Sequence, residues 1–270
     1  MKTTFTTTYK FYSYDEANYF HYKRRFMRTF RHVLEERMPQ DLEVSIANLE
    51  FTVEDRPIVT LEGPNEDDLI FTKNALKELV GEMTPAQGVN VGDIMFGQLK
   101  EVGNVGFGVF VDVGITEPKK DALLPLHYLR DELVGGETLS LTDISNLYGL
   151  MSNLPVEVEI VGKKEKKAGD YEFECKFSEF QMDRFRIWVE DRFEIVLSAG
   201  AARQALKKTI AKRGHTQDVW EVQRLGPLEM AVPCKRGTSA PGIISHIGKF
   251  LPEARFSAIR PQRVKKYWPE

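Results

Sequence analysis

The side chains with chemical reach in this sequence are aromatic rings set among glycines and cations gathered on one side of a helix. The stretch "GFGVFVDVG", Gly106 to Gly114, places Phe107 and Phe110 between glycines and then runs valine, aspartate, valine. A strand that only fills a core has no need of so much glycine, so this one is shaped to receive something. In "AGAARQALKKTIAKRG", helical spacing gathers Ala205, Leu206, Thr209 and Ile210 on one side and spreads Arg203, Lys207, Lys208 and Lys212 over the other. No acid on that helix neutralises them, so the face suits phosphates, or else is a plain solvated face. "GTSAPG", Gly237 to Gly242, has the glycine spacing that opens a P-loop, but Ile243 and Ile244 follow where lysine and a hydroxyl residue are required. NTP hydrolysis is therefore not expected there. With Lys235 and Arg236 just upstream, the turn reads as an anion contact at a helix start, or as a tight strand-to-helix turn with Pro241 at the first helical position.

Bond-breaking chemistry finds no support. The five histidines, His21, His32, His127, His215 and His246, are scattered without metal-ligand spacing. No nucleophile–base pattern and no cofactor fingerprint stands out, so no catalytic residue, metal or cofactor is expected. Cys175 and Cys234 sit singly in strand-like runs, which fits reduced, buried thiols and a cytoplasmic setting. No apolar run reaches the length of a membrane span, and no membrane partner is expected.

Charge separates along the chain. Residues 1–88 carry 11 Lys+Arg against 15 Asp+Glu, residues 89–178 carry 9 against 15, and residues 179–270 carry 17 against 10. A basic last third behind two acidic parts suggests a polyanionic partner, or an interface between the parts. The elements that must position these groups divide at the same places. Residues 1–88 predict strand, helix, strand, strand, helix: an N-terminal α/β domain. Residues 89–178 predict five short strands with glycine at the bends, a small closed barrel. The third strand is expected to run through "KDALLPLHYL", and a loop with one short helix is expected before "LPVEVEIVGK" and "GDYEFECKFS". In residues 179–270 a capped helix leads into strand-helix-strand-strand-helix-strand, the ferredoxin-like order.

The middle segment resembles the S1 RNA-binding domain, an OB-type barrel. The resemblance rests on "VGDI" at Val91, on Gly97, on Phe107 to Gly114 almost continuously, on Leu123 to Leu126, and on the closing Lys176-Phe177-Ser178. It implies that Phe107 and Phe110 stack unpaired bases. It departs from the S1 pattern in two places. Pro125 stands where a histidine is common, leaving His127 two residues on to share that face. Glu172 and Glu174 stand where a base is common. Lys163, Lys164, Lys166 and Lys167, crowding the expected turn in "GKKEKKAGD", would compensate as RNA contacts, or serve only as a charged turn. The whole chain, "VWEVQRLGPLEMAVPCKRGTSAPGIISHIGKFLP" above all, also resembles an archaeal family built on a domain of unknown function. That resemblance implies an archaeal source and supplies no activity.

These features together predict an α+β multidomain protein that binds single-stranded or ribosomal RNA without catalysing a reaction. The ribosome, RNA polymerase or an RNA-processing complex is its expected setting. Phe107, Phe110 and His127 would meet bases; the four barrel lysines, the basic helix, Lys235 and Arg236 would meet phosphates. "RFSAIRPQRVKKYWPE", with Tyr267 and Trp268 among its cations, reads as an RNA-folding tail or a closing strand with a frayed end. A protein-interaction adaptor is the alternative.

Overall fold

The computed structural model describes residues 1–267. The first part holds β1 (Lys2–Thr6), α1 (Tyr19–Arg37), β2 (Ser45–Phe51), β3 (Pro57–Glu62) and α2 (Glu66–Val80). β3 lies between β1 and β2, antiparallel to both. Phe26, Phe30, Val33 and Leu34, at three- and four-residue steps, are the buried face of α1. The Asn65 side chain caps α2 by accepting from the Asp68 N–H at 2.8 Å, with three acids in the first turn.

A two-residue β4 (Thr84–Pro85) leads into the middle part: β5 (Ile94–Lys100), β6 (Gly108–Thr116), β7 (Lys120–Pro125), α3 (Leu126–Val134), α4 (Leu141–Tyr148), β8 (Pro155–Lys167) and β9 (Asp170–Phe177). β6, β5, β8, β9 and β7 pair in that order and β7 closes back on β6, with β7 and β9 parallel. This is a closed five-strand barrel with OB connectivity. Gly97 permits the closure, since a Cβ there would lie 2.5 Å from a methyl of Val111. The third strand stops earlier than its composition suggests, at Pro125, which starts α3 instead. Two helices, not one, fill the connection to β8.

The last part holds α5 (Glu179–Glu190), β10 (Ile195–Ala199), α6 (Arg203–Lys212), β11 (Gln223–Arg224), β12 (Glu229–Pro233), α7 (Ala240–Ile247), β13 (Arg255–Ile259) and α8 (Pro261–Val264). Ser178 caps α5 by accepting from the Gln181 N–H at 3.1 Å. The sheet runs β11-β12-β10-β13 with every neighbour antiparallel, the ferredoxin-like arrangement. Its two faces have different neighbours. Val196, Met230 and Val232 pack under α6 and α7. Ile195, Leu197, Ala231 and Ile259 join one core with the barrel, through Tyr148 of α4 and Phe185 and Trp188 of α5.

Residues 7–14 leave the sheet and form a strap between the three parts, although "TTFTTTYKFY", residues 3–12, has the composition of one strand. The Tyr9 N–H donates to Val80 O at 2.8 Å, the Lys10 N–H to the Gln98 side chain at 2.7 Å, and the Tyr14 N–H to Glu253 O at 3.2 Å. Arg56, 1% exposed, anchors it: the guanidinium donates to the Thr8 carbonyl and to both Asp112 carboxylate oxygens, at 2.8 and 2.6 Å. Farther along, Tyr9 and Tyr12 donate to the Glu229 carboxylate, which is fully buried. Burial outweighs these bonds and pushes the Glu229 carboxyl up to about 7.

Two predictions follow from this junction. Below pH 4.5, where both folded and unfolded chains hold the Glu229 proton, its contribution to stability is complete. As the pH rises through 7 it is lost, because the unfolded chain releases the proton first. Glu132, also raised to about 7 by burial, acts in the same direction. Denaturant titration at pH 5 and pH 8 should show lower stability at pH 8. Glu229→Gln should remove a part of that fall on the order of 3 kcal/mol; an undiminished fall would show that this carboxyl does not titrate. Second, Asp112→Ala leaves the Arg56 charge buried without its partner and should cost about 3–5 kcal/mol. The double variant Arg56→Met/Asp112→Leu should recover much of that loss in the same assay.

Candidate nucleic-acid interface

Two surfaces carry the residues singled out by their chemistry, and they are built differently. The first is the outer face of the barrel. Gly108 lets β6 run close against β7, since a Cβ there would lie 2.5 Å from the Leu124 carbonyl oxygen. Phe107 sits just before the strand and Phe110 within it; they are 57% and 37% exposed. Their rings meet edge to face, centroids 6.2 Å apart. Phe110 then borders an open groove of about 590 Å³, shared with Leu123 of β7 and with Tyr171 and Glu174 of β9. An unpaired base has ring faces to lie on here.

The cations around that groove already have acidic partners. Lys100 pairs with Asp121 at 2.6 Å, Lys120 with Asp170 at 2.5 Å, and Lys119 with Glu54 at 2.5 Å. The lysine cluster lies along β8 rather than in a turn, because that strand continues to Lys167 and only Ala168 and Gly169 make the bend. Lys163 is half-buried, donating to Gln87 O and Val89 O at 3.0 and 2.7 Å, with its ammonium 4.5 Å from the Tyr171 ring. It fastens the segment before the barrel. Lys166 pairs with Glu172 at 3.0 Å, and Lys164 stands opposite Glu172 across the hairpin. Lys167 is exposed, opposite Asp170. His127 does not share the face of the third strand: Pro125 ends β7, and His127 falls in the first turn of α3, exposed, its ring 4.2 Å from that of Tyr128.

The second surface is the helix layer of the last part. Lys207, Lys208 and Lys212 are exposed on α6 and have no ion pair among the described residues, while Leu206 and Ile210 are buried beneath them. Arg203 differs: its Nε donates to Val222 O at 3.0 Å, so it ties α6 to the following loop. Lys235 is half-buried beside Trp220, and Arg236 is exposed. The turn from Gly237 does not offer an open helix start. Ser239 caps α7, accepting from the Gly242 N–H at 3.4 Å, and the Ala240 N–H is taken by the Glu194 carboxylate at 2.7 Å. An anion arriving there would meet a carboxylate in place.

In the C-terminal stretch Arg255 stacks on Tyr14 at 4.5 Å, within the junction; Trp268 lies outside the described residues. Two exposed rings were not legible as surface residues. Trp220 sits in a run that alternates like a strand, and Phe250 in one that reads as helix. The lysine in "GKF" is a signal that could have marked Phe250, whereas Lys235 reaches Trp220 only through the fold. Among the described residues there is no cluster of His, Cys, Asp and Glu fit for a metal, and no helix long and apolar enough to cross a membrane.

Comparison with known proteins adds family and little else. The crystal structure of the intact alpha subunit of aIF2 from Pyrococcus abyssi is similar at 10% identity and a TM-score of 0.24, covering 63% of this chain and 96% of that one. A likeness this loose bears on neither fold nor function. A search of curated proteins finds no match. The DUF2110 central domain matches residues 89–189, and the DUF2110 C-terminal domain matches residues 193–259. With the two matches together spanning well over half of its length, the chain belongs to the DUF2110 family.

Proposed function

We propose that this protein binds single-stranded RNA and catalyses no reaction on it, with the ribosome or another RNA-handling assembly as its setting. The observation that carries the proposal is the exposed Phe107–Phe110 pair at the edge of a groove on a closed OB-type barrel. Stacking on such rings is tolerant of sequence and worth roughly 1–3 kcal/mol per base. The unpaired lysines of α6 supply what the barrel lacks, since its own cations are held by its own acids. Phosphate contacts give affinity that falls with salt; ring contacts give affinity that hardly does. A second reading, a protein adaptor, draws on the exposed Glu172 and Glu174 beside the groove, which would suit a basic protein partner.

The two sources of RNA affinity are separable by experiment. Binding of a labelled unstructured RNA, followed across a salt series, should weaken at every salt concentration in Phe107→Ala/Phe110→Ala with its slope unchanged. In Lys207→Ala/Lys208→Ala the slope of log K against log salt should flatten by about 1.4, two phosphate contacts' worth on a single strand. If both variants bind like the parent, these sites are wrong. Partners that survive nuclease treatment in a pull-down, with no RNA binding by the parent, would favour the adaptor.

A further inference from the structure

The helix layer of the last part carries more than lysines. Trp220 is 60% exposed in the loop before β11, braced edge-on by Phe193 at 6.1 Å, and the Lys235 ammonium lies 5.3 Å from its ring centre. Phe250, just beyond α7, is 46% exposed, with the Arg213 guanidinium at 4.6 Å and the Lys249 ammonium at 5.2 Å. Single exposed rings are common on protein surfaces and need no explanation. These two, however, are joined by an unbroken chain of contacts. The Lys235 N–H donates to the Asp218 carbonyl at 2.7 Å, and the Asp218 carboxylate meets His215 Nδ1 at 2.7 Å. His215 Nε2 meets His246 Nδ1 at 2.8 Å, the two imidazoles stacked with centres 5.0 Å apart. His246 lies in the last turn of α7, whose continuation holds Lys249 and Phe250.

The result is a belt with a ring and a cation at each end and stacked imidazoles between them. Its acids are fewer than its cations: Asp218 is engaged by His215 and Glu221, next to Trp220 in sequence, accepts from the Gln223 side chain at 3.5 Å, against Arg213, Lys235 and Lys249. Exposed rings with fixed positive charge over them match an unpaired nucleotide, which offers a base to stack and a phosphate to pair. An acidic protein would use the charges and leave the rings unexplained.

We infer that this belt is a second RNA platform, separate from the barrel, on which Trp220 and Phe250 each stack a base while Arg213, Lys235 and Lys249 take phosphates. The inference rests on the RNA reading above and adds residues that reading does not use. Cations already lie over each ring, and a base would cover the area the ring still exposes.

The test is anisotropy of a labelled twelve-nucleotide oligouridylate with the full chain, across a salt series. Trp220→Leu and Phe250→Leu should each weaken binding roughly 5- to 150-fold, the range one stacked base implies, with the salt slope unchanged. Trp220→Phe, which keeps a ring, should retain most of the affinity. Leucine variants that bind like the parent would overturn the belt and leave the RNA reading standing. Equal loss in Trp220→Leu and Trp220→Phe would also overturn it, since the ring would then matter only to packing. A parent chain that does not bind the oligonucleotide at any salt concentration would overturn the RNA reading, and the belt with it.

Discussion

The Arg56 guanidinium, closed between the Thr8 carbonyl and the Asp112 carboxylate, sets where the N-terminal part sits on the barrel. A buried charge pair contributes little net stability when both partners are present, yet losing one partner is expensive. It therefore discriminates against wrong dockings more than it strengthens the right one. Around it the backbone is fitted to the strap. Gly114 has φ +75°, and a Cβ there would lie 2.4 Å from Thr8 Oγ1; at Gly81, φ +64°, it would lie 2.6 Å from the same side chain. Two glycines from different parts of the chain are kept bare for one threonine.

This divides the outer face of β6 in two. Side chains alternate along a strand, so Phe110, Asp112 and Gly114 share the outward side while Val109, Val111 and Val113 fill the barrel. The second half of that outward side is covered by Arg56 and the strap. The first half, with Phe107 beyond it, stays open onto the groove. The glycine-rich stretch thus receives part of its own chain at one end and stays open beside the groove at the other.

How much of this could be seen in the residues depended on whether the signal was local. The capping positions Asn65 and Ser178, the succession of five barrel strands and the ferredoxin-like succession are written in short-range spacing, and the structure has them. The strap is not. "TTFTTTYKFY" alternates like one strand, but Tyr9 and Phe11 bury themselves against α1 from outside any sheet. Only Val80, Gln98 and Glu229, distant in sequence, explain why the chain leaves β1 there. Lys163 illustrates the same limit among site residues. Composition makes it one lysine of four, and only the fold shows its ammonium spent on two backbone carbonyls of another segment.

Burial also decides which face of the last part remains for a partner. A ferredoxin-like sheet has one helix-covered face and one that is often free; here the second is occupied, with Leu197 and Ile259 against Gly149, where a Cβ would lie 2.9 Å from Ser257 Oγ. A ligand can then reach this domain mainly over α6 and α7 or along the sheet's edges. On the barrel, where acids and lysines pair between strands, net charge near the groove is small; on α6 no acid is present to pair. On the RNA reading proposed above, long-range attraction and salt sensitivity would therefore belong to the helix layer, and the barrel would add contact without steering. A polyanion would approach from the α6 side, and the groove would act on what that approach delivers.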